Sequence, residues 1–243
     1  MRLLGQAKFA LTFDDGPGSA TASILDCLAE FEVKATFFVL ASNLDEAAWC
    51  GGDVARSRSI MLRALREEHV IGNHSYSHLT ADEAHRDLEL FRRDVLRGEA
   101  SIRGLLGEGG LPKAARIPFR LPYGPQLAWR RPLLWGRSRP VPDPRGRVLE
   151  QLGLRHVHWT ADPCDYKPGP SARDLAETLA CHVQECAQRG TGAVILLHDG
   201  VPPSEAEKHG SDRERTVDTV RALLEICRRE RWHSFTVPST DFG

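Results

Sequence analysis

The chain has 243 residues, 41% of them apolar and 27% charged, the make-up of an ordinary folded protein. Thirty-two Lys and Arg against 33 Asp and Glu leave a formal charge of −1, which excludes a dominant electrostatic grip on nucleic acid or anionic lipid. No run approaches the roughly 18 apolar residues of a membrane span. No charged and apolar leader precedes the first strand signal, so the expected location is cytoplasmic unless a leader has been removed.

Strand-like and helix-like segments alternate along the chain. Residues 8–13 (KFALTF) read as a buried strand that runs into two aspartates. A helix is expected over 19–31, with Ile24, Leu25, Leu28 and Phe31 as its apolar stripe. Residues 35–40 (ATFFVL) are the next strand, 59–68 a helix, 70–73 a short strand and 81–96 a long amphipathic helix. Strands are expected at 115–118 and 155–160. A helix over 171–189 has Ser171 as N-cap and Asp174 three residues on. Residues 193–198 (AVILLH) form a strongly apolar strand, 213–231 a helix and 234–237 a last strand. Seven strand signals interleaved with helices predict a parallel α/β sheet, open or closed. The length fits a single domain over 1–243. Two stretches break the rhythm and read as loops: 125–147, with five prolines and six arginines, and 201–212. The six cysteines include no CxxC pair and read as reduced thiols.

Ionisable groups collect at the C-terminal ends of the predicted strands, the edge where parallel α/β sheets build their sites. Asp14 and Asp15 end the first strand. His74 and His78 follow the third, at a spacing that puts both rings on one side of a helical turn. Arg120 and Tyr123, Asp162 and Asp165, and His198 follow later strands. Two histidines and a carboxylate with an open position make a standard catalytic zinc set. Alone, the H-x-x-x-H pair is better read as surface histidine. Adjacent carboxylates at a strand end, however, repel unless a cation or proton parts them. The two signals together favour a metal hydrolase. Asp162 reads equally well as a turn-former ahead of Pro163. Cys164 reads as a spectator, and His156 and His158, sharing one strand face, as structural.

The set TFDDGP (12–17), HSYSH (74–78), RLPYG (120–124), DPCDY (162–166) and LLH (196–198) resembles the polysaccharide deacetylase family, carbohydrate esterase family 4, in order and spacing over nearly the whole chain. HWTADPCDY (158–166) and ILLHDGVPP (195–203) look most like the nodulation-type chitooligosaccharide deacetylases. The resemblance implies a distorted (β/α)7-8 barrel and metal-dependent hydrolysis of the acetamide of an N-acetylated sugar. It implies Asp15, His74 and His78 as ligands of a divalent metal, Zn²⁺ with Co²⁺ as the alternative. By the same resemblance Asp14 is the base, with Arg120 paired to it, and the Tyr123 backbone N–H is an oxyanion donor. His198 is the acid, kept cationic by Asp165. Leu196 and Tyr166, with Pro122 and Trp159, contact the substrate.

Three departures stand out. Leu121 occupies a usual proline position and Tyr166 a usual tryptophan position, which puts the acyl pocket in doubt. The insertion at 125–150 is longer than the usual connection; with its arginines, Trp129 and Trp135 it is expected to wall the active rim or to be a solvated loop. The implied substrate is an N-acetylglucosamine oligomer or related aminosugar conjugate. An amidase or imidase on a non-sugar molecule, a peptidoglycan or acetylxylan deacetylase and a silent sugar-binding module are the alternatives. The intact catalytic set argues against the last.

Overall fold

The structure is a computed structural model that describes residues 6–46, 53–107, 114–118, 143–202 and 213–237. Its strands are β1 (Lys8–Asp14), β2 (Thr36–Val39), β3 (Val70–Asn73), β4 (Ala114–Ala115), β5 (Arg155–His156), β6 (Ala193–His198) and β7 (His233–Ser234). All pair in parallel, in the order β5-β4-β3-β2-β1-β6, with β7 beside the start of β1. Just past β5, Ala161 bridges to Ile195 of β6, and Thr160 N donates to Val194 O at 2.8 Å. The two ends of the order therefore meet, and the sheet curls into the distorted barrel expected of the sequence.

Side-chain alternation sorts the residues of each strand. On β1, Phe9, Leu11 and Phe13 point outward into a core shared with helices α1 (Thr21–Glu30), α7 (Ala172–Gln188) and α8 (Glu214–Glu230). Ala10 belongs to a second cluster with Phe38, Ala114, Val157 and Val194, which fills the barrel interior. Small residues dominate there because so narrow a barrel leaves little room. A third cluster packs α5 (Leu88–Leu106) and α6 (Pro144–Gln151) on β4 through Phe91, Val95, Ala115, Val148 and Leu149.

The helices depart from expectation in four places. Helix α3 (Val54–Arg66) starts before residue 59, because Asp53 caps it by accepting from Arg56 N. A short α2 (Ser42–Asp45) carried no sequence signal. The single helix expected over 81–96 is two, α4 (Ala81–Arg86) and α5. Asp87 breaks it: its backbone leaves the helical region at φ −137° and ψ 90°, and its carboxylate caps the N–H groups of Glu89 and Leu90. The insertion expected as loop over 125–150 ends in α6, started by Asp143 with Pro144 in its first turn. Residues 119–142 lie outside the described residues. The strands expected over 115–118 and 155–160 shrink to two residues each.

Candidate active site

β1 delivers two aspartates to the barrel rim, and the backbone separates them. Asp15 has φ 72°, a left-handed conformation that turns its side chain away from that of Asp14. Asn43 Nδ2 donates to Asp15 O at 2.9 Å, and Leu40 N donates to Gly16 O at 2.9 Å, so the turn is fixed from β2 and α2. Both carboxylates are buried.

Asp14 Oδ1 accepts from Arg116 Nη1 at 2.7 Å. The same nitrogen donates to Thr12 Oγ1, Arg116 Nε donates to Val157 O, and the guanidinium carbon lies 4.2 Å from the Phe38 ring centroid. Arg116 thus crosses the barrel interior at 1% exposure. Arg116 is thus a partner of Asp14, a role that the resemblance implies for Arg120. Arg120, Pro122 and Tyr123 lie outside the described residues. Arg116 sits in no motif block; its position on the inward face of the chain leaving β4 is the signal that could have found it.

His74 and His78 do converge, but on no helical turn. Ser75 (φ 70°) and His78 (φ 56°) are left-handed, and the segment folds as a tight loop. Asn73 Oδ1 accepts from Ser75 N, and Asp94 on α5 accepts from the N–H groups of Tyr76 and Ser77. Tyr76 is buried and donates to Glu46. Those anchors leave the two rings 5.2 Å apart.

Asp15 Oδ1 lies 3.4 Å from His74 Nε2 and 3.2 Å from His78 Nε2, and it is buried with no hydrogen-bond donor. His74 Nδ1 sits 2.8 Å from Arg116 O, which places a proton on Nδ1 and the lone pair of the neutral ring on Nε2. A bare carboxylate oxygen beside an imidazole lone pair needs a cation. The donor set, one carboxylate and two imidazoles within 4.8 Å of one another, fits a divalent metal. Burial opposes charge on Asp15, yet His78 and His74 hold its carboxyl well below the usual carboxylate range. Burial also opposes charge on His74, but Asp14 and Asp15 raise it.

His198 ends β6 in register with Asp14. Its Nδ1 meets Asp165 Oδ1 at 2.8 Å and its N–H donates to Asp165 Oδ2 at 2.9 Å. Thr216 Oγ1, in the first turn of α8, donates to the same Oδ2 at 2.7 Å. Burial works against the imidazolium, but Asp165 prevails and pushes the His198 pKa up to about 10. Burial also opposes charge on Asp165, which His198 nonetheless holds below the ordinary carboxylate value. Arg215 donates to Asp165 O and to Pro170 O, pinning the loop that carries Asp165. Neither Thr216 nor Arg215 carried a motif signal.

These groups surround a cavity of about 230 Å³, walled in addition by Ile117, Trp159, Tyr166 and Leu196. Tyr166 packs edge-on against His198 with ring centroids 4.8 Å apart. Asp162 reaches the cavity but also accepts from Cys164 N at 2.9 Å, the turn-forming bond weighed from the sequence. Cys27, Cys164, Cys181, Cys186 and Cys227 are free, as expected; Cys50 lies outside the described residues. His156 and His158 bond to each other at 3.1 Å, away from the cavity lining. No helix among the described residues is long and apolar enough to cross a membrane.

A family model described as polysaccharide deacetylase matches residues 4–129. A chitooligosaccharide deacetylase of Sinorhizobium fredii is 32% identical over 225 residues, covering 90% of this chain and 85% of that protein. A peptidoglycan-N-acetylglucosamine deacetylase of Bacillus cereus is 37% identical over 235 residues, covering 96% of this chain and 68% of that one. Among solved structures, the Bc1960 peptidoglycan N-acetylglucosamine deacetylase superposes with TM-score 0.64 at 27% identity, covering 97% of this chain and 88% of that one. A CE4 esterase of Streptococcus mutans shares the fold with TM-score 0.69 at 20% identity, covering 96% and 86%.

Proposed function

Since the chain belongs to the polysaccharide deacetylase family, a family of hydrolases acting on N-acetyl amides, we propose that it is a metal-dependent N-deacetylase of N-acetylglucosamine units in a chitooligosaccharide or related aminosugar conjugate. The observation that carries the reading is one cavity bounded on one side by Asp14, Asp15, His74 and His78 and on another by His198 backed by Asp165. The name of the Sinorhizobium relative, matched over most of both chains, supports the substrate class.

Asp15, His74 and His78 hold the cation, Zn²⁺ with Co²⁺ as the alternative. When bound, it supplies Lewis-acid polarisation of the acetyl carbonyl and lowers the pKa of water to about 7. Asp14 takes the proton of the attacking water, and Arg116 pairs with its carboxylate and aims it. His198, with Nδ1 committed to Asp165, presents Nε2 to the leaving nitrogen and protonates it. Leu196, Tyr166 and Trp159 wall the acetyl methyl. By the family resemblance the Tyr123 backbone N–H is the oxyanion donor, Pro122 contacts the substrate and Arg120 is a further partner of Asp14. The deciding experiment is acetate release from chitotetraose against N-acetylmuramyl polymers. Preference for chitotetraose supports the oligosaccharide reading, and the reverse selects a peptidoglycan deacetylase, which the 37% identity to the Bacillus cereus protein favours.

A further inference from the structure

Asp199 is a buried carboxylate, 1% exposed, for which the proposed chemistry has no step. It follows His198 and lies behind the turn that carries Asp14 and Asp15. Its N–H donates to Asp14 O at 3.2 Å. Thr21 Oγ1 donates to Oδ2 at 2.6 Å, while Oδ1 meets no donor. A Cβ built on Gly16 would stand 2.1 Å from Asp199 Oδ2, and one built on Gly200 would stand 2.1 Å from Asp15 O. The exits of β1 and β6 therefore interlock, with glycine on each side because nothing larger fits.

Three other buried carboxylates at this rim have cationic or imidazole neighbours: Asp14 has Arg116, Asp165 has His198, and Asp15 has two imidazoles. Among the described residues no cation pairs with Asp199. A buried, half-bonded carboxylate behind two others costs stability through desolvation and like-charge repulsion. Neutral asparagine would fill the same space and accept the same Thr21 bond. The charge has a use if a cation sits on the far side of Asp15.

We propose that Asp199 is a positioning residue that strengthens binding of the divalent cation, by seating the Asp15 turn and by adding negative charge behind it, at the cost of stability in the metal-free chain. The proposal rests on the metal reading above. The test uses the full chain, stripped by a chelator and titrated with Zn²⁺ in competition with an indicator at about pH 8, where carboxylates are ionised. Asp199→Asn is expected to weaken Zn²⁺ binding about tenfold or more. It is also expected to raise the melting temperature of the stripped protein by a few degrees. Unchanged Zn²⁺ affinity, or a lower melting temperature in the stripped protein, overturns the proposal, since a merely structural role gives that pattern. Should Asp199→Asn fail to fold, Thr21→Val keeps the carboxylate and removes its donor. That variant should widen the gap in melting temperature between zinc-loaded and stripped protein; a gap no wider than in the parent chain overturns the idea. Acetate release plays no part in these readouts. A parent chain that binds Zn²⁺ but releases no acetate sinks the functional reading and leaves this one standing, whereas a parent chain that binds no Zn²⁺ removes both.

Discussion

Asp14 and Asp15 are sequence neighbours with opposite surroundings. The left-handed turn at Asp15 sends one carboxylate to a guanidinium and the other to two imidazoles, so adjacent groups take up different work. Asp14→Asn should cut turnover by about 10²–10⁴-fold. It should leave the metal content of the protein unchanged, measured by acetate release alongside elemental analysis; loss of metal as well would mean that base and ligand have been exchanged. Asp165→Asn acts on the other side of the cavity. With Asp165 in place the His198 pKa is pushed up to about 10, so the imidazole stays charged through neutral pH. Without it, burial is left to dominate and the imidazole deprotonates at lower pH. The alkaline limb of the pH–rate profile should therefore move toward acid; a limb that stays put would show that another group governs it. Stability follows the same sign. Because the folded pKa of His198 is raised, its contribution is full below the ordinary value of 6.5 and fades as pH rises through about 10. At the acid end the depressed Asp165 pKa means that the contribution of this carboxylate fades as pH falls below the ordinary 3.8.

Helices with explicit end signals were legible as elements. Ser171 and Asp174 form the capping box expected from their spacing, each side chain accepting from the other's backbone N–H. Ser171→Ala should cost about 0.5–2 kcal/mol. Chemical denaturation would check this, and an unchanged midpoint would remove the box as a contributor. The helix expected over 81–96 illustrates the opposite outcome. Its apolar period runs unbroken, but Asp87 can serve as an N-cap as well as a helix interior residue, and packing of α5 on β4 and α6 selects the cap. β4 and β5 were harder to bound, since two ladder residues leave almost no period to read. The HSYSH segment shows how one spacing serves two geometries. An i, i+4 pair on a helix and a loop with two left-handed residues both bring imidazoles together, and only the anchors from Asp94 and Asn73 distinguish them.

At the scale of the whole molecule, closure of the sheet is what turns scattered residues into a site. The segments leaving β1, β3, β4, β5 and β6 each contribute one or two groups, and the Ala161–Ile195 bridge brings the last of them round to the first. A cation held as proposed by Asp15 and the two histidines would tie β1 to the loop after β3, so its removal is expected to loosen the barrel as well as stop the reaction. Chelation should abolish acetate release, and Zn²⁺ or Co²⁺ should restore it. Zinc at about 100 times its dissociation constant should add about 2.7 kcal/mol of stability, read as a rise in melting temperature over the stripped protein. Activity and melting temperature both indifferent to chelation would remove the metal from the account.

The alternation of strands and helices, the rim on which the ionisable residues lie, and the motif set that resembles one family can all be read along the chain. These are local properties, written in periodicity, caps and the order of strand ends. The tertiary structure alone brings Arg116 to Asp14, because no motif marks Arg116 and the contact depends on its facing the barrel interior. It also decided that His74 and His78 meet across a loop, and that Asp199 is pressed against Gly16 from a strand more than 180 residues away. Contacts of that kind depend on how the sheet curls. Curl is set by the packing of all the strands and helices together and is written at no single position.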